Sequence, residues 1–166
     1  MRWLKYEKVV IGGTFDYLHD GHKALIDKAF EMGDEVLIGI VSDQMELKKD
    51  SVGILPLEDR KGSLMDYLRE IDCLNRAEIE VIDDPMGPAA SNEELEAIIV
   101  TEETKSGAEK INSVRKDKGL DTLEIVELPL LLAEDGDPIS SIRIRYGEID
   151  IHGNLTEGEN NISDYG

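Results

Sequence analysis

Short apolar runs alternate along this chain with longer segments whose apolar residues recur at helical spacing. The β-branched run Val9-Val10-Ile11 predicts a strand buried on both faces, and Gly12-Gly13 after it is expected to turn the backbone sharply and admit a ligand without a Cβ in the way. Leu25, Ala29 and Met32 then predict a helix, with Asp20 as its N-cap and Gly33 as its stop. Glu35 to Val41 is a second buried strand. A helix opened by Pro56 presents Leu64, Tyr67, Leu68 and Ile71 on one face. Ala77 to Ile82 is a third strand, followed by a connection, Asp83 to Ala90, whose prolines and glycine oppose regular structure. Glu96 to Thr101 and Leu123 to Leu128 supply the fourth and fifth strands, around a helix that reaches about Lys118 and ends at Gly119. Strand and helix alternate throughout, so the expected fold is α/β: a doubly wound, Rossmann-like, five-stranded parallel sheet with helices on both faces.

Length and charge narrow the picture. A chain of 166 residues, 40% hydrophobic, is expected to form a single domain over residues 1–152, with an acidic, mobile tail over 153–166. A formal charge of −19 argues against nucleic acid or an anionic membrane as partner, since either would meet long-range repulsion. An anionic small molecule must then be drawn by a local positive site. The single cysteine, Cys73, cannot form an internal disulfide and fits a reducing cytosol, and no apolar run approaches the ~20 residues a bilayer crossing needs. The expected location is cytoplasmic.

The chemistry concentrates in Gly12-Gly13-Thr14-Phe15-Asp16 and His19-Asp20-Gly21-His22. A helix N-terminus offers unpaired N–H groups and a partial positive charge, and an imidazole in its first turn adds a donor for a reacting phosphate. The lesser alternatives are that the histidines are ordinary turn and helix residues, or that they join Asp16 at a metal. Neither Gly-x-x-x-x-Gly-Lys-Ser/Thr nor Gly-x-Gly-x-x-Gly is present, Thr14 standing where the latter needs its second glycine. Lys48 and Lys49 follow the second strand, at the edge where ligands gather in such sheets, unless they are merely solvated. Arg60 is read as a support for the active-site loop or as an ordinary surface residue. In Asp137-Pro138-Ile139-Ser140-Ser141-Ile142-Arg143-Ile144-Arg145, adjacent hydroxyls and spaced arginines suggest a second anion cradle, or only a helix cap.

Together with Val100 to Thr104, Gly107 and Ile111-Asn112, these motifs resemble the archaeal and eukaryotic phosphopantetheine adenylyltransferases of the nucleotidyltransferase superfamily. The resemblance implies transfer of AMP from ATP to 4′-phosphopantetheine, giving dephospho-coenzyme A and diphosphate, with Mg²⁺ shielding the ATP phosphates. It gives His22, assisted by His19, the role of stabilising charge on the α-phosphate. Gly12, Gly13, Thr14 and Phe15 would line the nucleotide, and Thr14 would also orient the attacking phosphate. Lys48 or Lys49 would neutralise that phosphate, and Ser140, Ser141 and Arg143 would hold the β- and γ-phosphates. Ile142 departs from the threonine usual at its place in the motif. The same chemistry on FMN or glycerol 3-phosphate, and a non-catalytic nucleotide-binding module, are the rival expectations; no protein partner is implied.

Overall fold

A computed structural model describes residues 5–43 and 53–156. Five strands, β1 (Tyr6–Gly13), β2 (Gly33–Val41), β3 (Ala77–Ile82), β4 (Ala97–Thr101) and β5 (Glu124–Leu128), form one sheet in the order β3-β2-β1-β4-β5, every neighbouring pair parallel. The apolar runs of β1, β2 and β4 lie inside the sheet, whereas the edge strands β3 and β5 carry Glu78, Glu80, Glu124 and Glu127. Charges along an edge discourage pairing with another chain.

Helices α1 (Asp20–Met32) and α2 (Leu57–Glu70) cover one face, where Ile26, Phe30, Leu64 and Leu68 pack against Val9, Ile11, Ile38, Ile40 and Ile99. The buried stripe of α1 is Ile26, Ala29 and Phe30; Leu25 and Met32, expected on it, flank it half-buried. Helix α3 (Lys105–Asp117) and a 3-10 turn at Gly87–Ala90 cover the other face through Ala108, Ile111 and Ala89, set on Val10, Leu37, Ile98 and Val100. That turn corrects the expectation of no regular structure between Asp83 and Ala90. A short helix, α4 (Ser141–Arg145), follows β5. Gly153, expected in the tail, is instead packed: its carbonyl accepts from Glu134 N at 2.8 Å, and a Cβ there would lie 2.8 Å from Ile139 Cδ1. Leu155 pairs with Ile149, so the packed chain continues at least that far.

The order of the strands reverses at β1. There β1 and β4 share only two rungs, Val9 with Ala97 and Val10 with Ile98, while β1 stays paired with β2 as far as Gly13 and β4 with β5 as far as Thr101. The sheet therefore splits toward the carboxyl ends of its strands. This is the topological switch point, where open α/β sheets bind ligands.

Candidate active site

A cleft of about 650 Å³ fills the split, lined by Gly12, Gly13, Thr14, His22, Ser140 and Ile142 among others. Gly12 and Gly13 are not the turn expected of them. Both remain in β1, and the chain turns where Phe15 and Tyr17 take positive φ, 55° and 47°. Side chains with a Cβ rarely adopt that region, so this loop stores strain beside the cleft. The Phe15 ring goes into the core and lies 5.4 Å from the His22 ring.

His19, not Asp20, is the N-cap of α1. Its Nδ1 accepts from His22 N at 3.3 Å, and His22 Nδ1 accepts from His19 N at 3.2 Å, a reciprocal capping box built from two imidazoles. The rings stack with centroids 3.7 Å apart at 17°. Gly21 makes room for this, since a Cβ there would lie 2.9 Å from His19 Cε1. Burial lowers the His19 pKa to about 4, against the opposing pull of Asp20, and lowers that of His22 to about 3, with His19 adding to the shift. Asp20, displaced from the cap, faces His152 Nδ1 at 3.0 Å.

The metal alternative loses its geometry. Asp16, 1% exposed, accepts from Leu55 N through Oδ1 at 2.9 Å and faces Arg145 Nη1 through Oδ2 at 3.6 Å. Both imidazole Nδ1 atoms are engaged in the cap. Among the described residues no group of three or more His, Cys, Asp or Glu side chains is placed to hold a metal ion.

Arg60 settles on the supporting role. It is 0% exposed, and its guanidinium donates to the carbonyls of Leu55 (2.8 Å), Thr14 (2.9 Å) and Val41 (2.7 Å) and to Asp43 Oδ1 (2.9 Å). One buried cation thus ties the ends of β1 and β2 to residues on both sides of the segment carrying Lys48 and Lys49. Those lysines lie outside the described residues.

Across the cleft the hydroxyl motif divides. Ser140 caps α4 by accepting from Arg143 N at 3.3 Å, which leaves its own O–H to donate elsewhere. Ser141 spends its O–H on the Asp16 carbonyl at 2.7 Å and so fastens α4 to the β1 loop. The Arg143 guanidinium does not line the cleft: it is bonded to Asp135, to Glu148 Oε1 at 3.0 Å and to the Pro138 carbonyl at 3.1 Å. Acidic residues in the adjoining turns neutralise it. Ile142, by contrast, is 55% exposed at the rim.

Of the Val100 to Asn112 motif, Thr101, Glu103, Thr104, Ser106 and Gly107 line the cleft wall. Asn112 is structural, its side chain pairing both ways with the Leu123 backbone at 2.9 and 2.7 Å. Sequence reasoning missed the ties of Asp16 and Arg145, and Arg115, which is 1% exposed and donates to the carbonyls of Ala89, Asn92 and Asp121.

Fold and cleft together define an α/β protein of the Rossmann-like kind, with an open cleft at the switch point of its parallel sheet. A family model described as cytidylyltransferase-like matches residues 10–147. The chain is 48% identical over 151 residues to the phosphopantetheine adenylyltransferase of Methanosarcina barkeri, covering 89% of this chain and 92% of that one. The enzyme of that name from Methanothermobacter thermautotrophicus is 43% identical over 153 residues, 91% and 90% of the two chains. A crystal structure of an Archaeoglobus fulgidus protein of unknown function superposes with a TM-score of 0.65 at 36% identity, over 73% of this chain and 88% of the other. The chain belongs to the cytidylyltransferase-like family, and within it to the phosphopantetheine adenylyltransferases.

Proposed function

We propose that the protein transfers AMP from ATP to 4′-phosphopantetheine, giving dephospho-coenzyme A and diphosphate. The observation that carries the acceptor is the similarity to phosphopantetheine adenylyltransferases at 43% and 48% identity over nine-tenths or so of both chains. The cleft supports the chemistry. An oxygen of the acceptor phosphate attacks the α-phosphorus in line, the bond from that phosphorus to the bridging oxygen breaks, and diphosphate leaves with the electron pair.

Such a reaction needs positioning and charge stabilisation rather than a covalent protein intermediate. His22, with His19 beside it, meets the α-phosphate; Thr14 orients the attacking phosphate, and Lys48 or Lys49 neutralises it. Gly12 and Gly13 give the nucleotide an open floor. Ser140 donates to the outer phosphates, whereas Ser141 and Asp16 hold the two sides of the cleft together. Mg²⁺ enters as part of the substrate, bound to the ATP phosphates. Among the described residues no helix is long and apolar enough to cross a membrane. The single cysteine fits a reducing compartment, and the reaction is placed in the cytoplasm on that ground.

Diphosphate release tests this reading. ATP with 4′-phosphopantetheine should turn over well above CTP, FMN or glycerol 3-phosphate combinations; equal or faster turnover of another acceptor would sink it.

A further inference from the structure

We propose that Arg115 is a positioning residue: it sets the width of an apolar limb of the cleft, between α3 and the β3–β4 connection, and that limb receives the uncharged arm of the acceptor. The identity of the acceptor rests on the adenylyl-transfer reading above.

The limb has two walls and a floor. Ala108 and Ile111 of α3 form one wall, Met86 and Ala89 of the connection form the other, and Ile98 of β4 belongs to the floor; all five line the cleft. The wall in the connection is shaped by local bonds. Asp84 Oδ1 accepts from Met86 N at 3.0 Å and from Gly87 N at 2.7 Å. Gly87 takes a φ of 56°, and a Cβ there would lie 2.8 Å from Ile82 Cγ2. These bonds fix the course of the turn itself, and none of them reaches α3.

Arg115 makes the connection across the gap. The buried residues of α3 are Ala108, Ile111 and Arg115, a single stripe at helical spacing, so the guanidinium lies one turn beyond a residue that lines the limb. It donates to the carbonyls of Ala89 at 2.9 Å and Asn92 at 2.8 Å in the opposite wall, and to that of Asp121 at 2.7 Å after its own helix. A buried cation is costly, and an apolar side chain would fill the same place while holding neither wall. What arginine adds is a rigid, planar fork that bonds several acceptors at fixed spacing. Arg60 does the same for the Thr14 and Val41 carbonyls at the ends of β1 and β2.

In-line displacement decides which substrate enters the limb. Diphosphate, as proposed above, leaves toward Ser140 on α4, which Ser141 fastens to Asp16 at the approach to α1. The acceptor must reach the α-phosphorus from the opposite side. The limb lies between α3 and the 3-10 turn, the elements that cover the face of the sheet away from α1. With its phosphate at Thr14, the acceptor has left a neutral chain of methylenes, geminal methyl groups and amides, which an apolar channel of fixed width suits.

Steady-state kinetics of the full chain tests this. Arg115→Lys keeps the charge and most of the stem but cannot span three carbonyls. The KM for 4′-phosphopantetheine should rise about tenfold or more, while kcat and the KM for ATP stay within about twofold. As competitive inhibitors against the acceptor, pantetheine should weaken by the same factor and inorganic phosphate should not. Equal rises in both KM values, a fall in kcat alone, weakening of phosphate rather than pantetheine, or a variant that does not fold would make Arg115 a general support and overturn the proposal. Ala108→Val narrows the limb from the α3 side without touching the tie. It too should raise the KM for the acceptor and spare that for ATP; an unchanged acceptor KM would overturn the proposal whatever the lysine variant does. A parent enzyme that prefers another acceptor overturns the adenylyl-transfer reading, whereas the expected preference without the KM split in the variants overturns this inference alone.

Discussion

Two of the helices that line the cleft, α1 and α4, differ in build. α1 has 13 residues, is capped by stacked imidazoles, and is fixed by Ile26, Ala29 and Phe30 in the core. α4 has 5 residues, is capped by a serine, buries none of its residues fully, and is held by Ser141 and Arg145 to Asp16. A donor that must meet charge developing in a transition state has to be immobile beforehand, whereas a group that only grips the outer phosphates tolerates adjustment. The contrast fits the proposed division, with the chemical step on α1 and nucleotide retention on α4.

The sharpest way to break that division is His22→Ala. It should lower kcat by about 10²–10³-fold, the loss typical of one such donor, with little change in ATP binding. Single-turnover kinetics checks this, and an intact kcat with weakened ATP binding would move His22 to ground-state holding. On the other side, Ser140→Ala should raise the KM for ATP about tenfold or more, since a hydrogen bond to a charged group contributes roughly 1.5–3 kcal/mol. Ser141→Ala should affect ATP less and instead lower the melting temperature, because its hydroxyl holds the Asp16 carbonyl. Should the two serines behave alike in steady-state kinetics and melts, the split between grip and fastening is wrong. The smallest effect belongs to Ile142→Thr. At 55% exposure Ile142 is not buried under the loop, so the change should leave stability within about 0.5 kcal/mol and tighten ATP by up to about tenfold, as read by calorimetric titration.

The strands were legible because apolar runs without a helical period have little other use, and the site because Gly-Gly-Thr-Phe-Asp and His-x-Gly-His stand at a strand–helix junction. Other features left no mark. Asparagine, aspartate and serine dominate helix caps, so Asp20 outranked His19 on composition alone. Positive φ falls at Phe15 and Tyr17, residue types that do not announce it, rather than at the glycines just before them. A charged residue reads as surface, and only the converging carbonyls of Thr14, Val41 and Leu55 make an interior place for Arg60. The ion pairs of Arg143 were hidden for a related reason, since its partners, Asp135 and Glu148, reach it through turns on either side.

The two rungs that join β1 to β4 also govern how the molecule assembles. β1, β2 and β3 can pair as soon as the first half of the chain exists, but Val9 and Val10 must wait for Ala97 and Ile98, across two intervening strands and a long loop closure. Contact order therefore predicts a three-stranded foundation that forms first and a two-stranded flap that joins it last, along the rungs beside the cleft. Nucleotide bound as proposed would touch both parts and act as a clasp on the fold itself, so hydrogen exchange in β4 should slow on ATP addition more than exchange in β2.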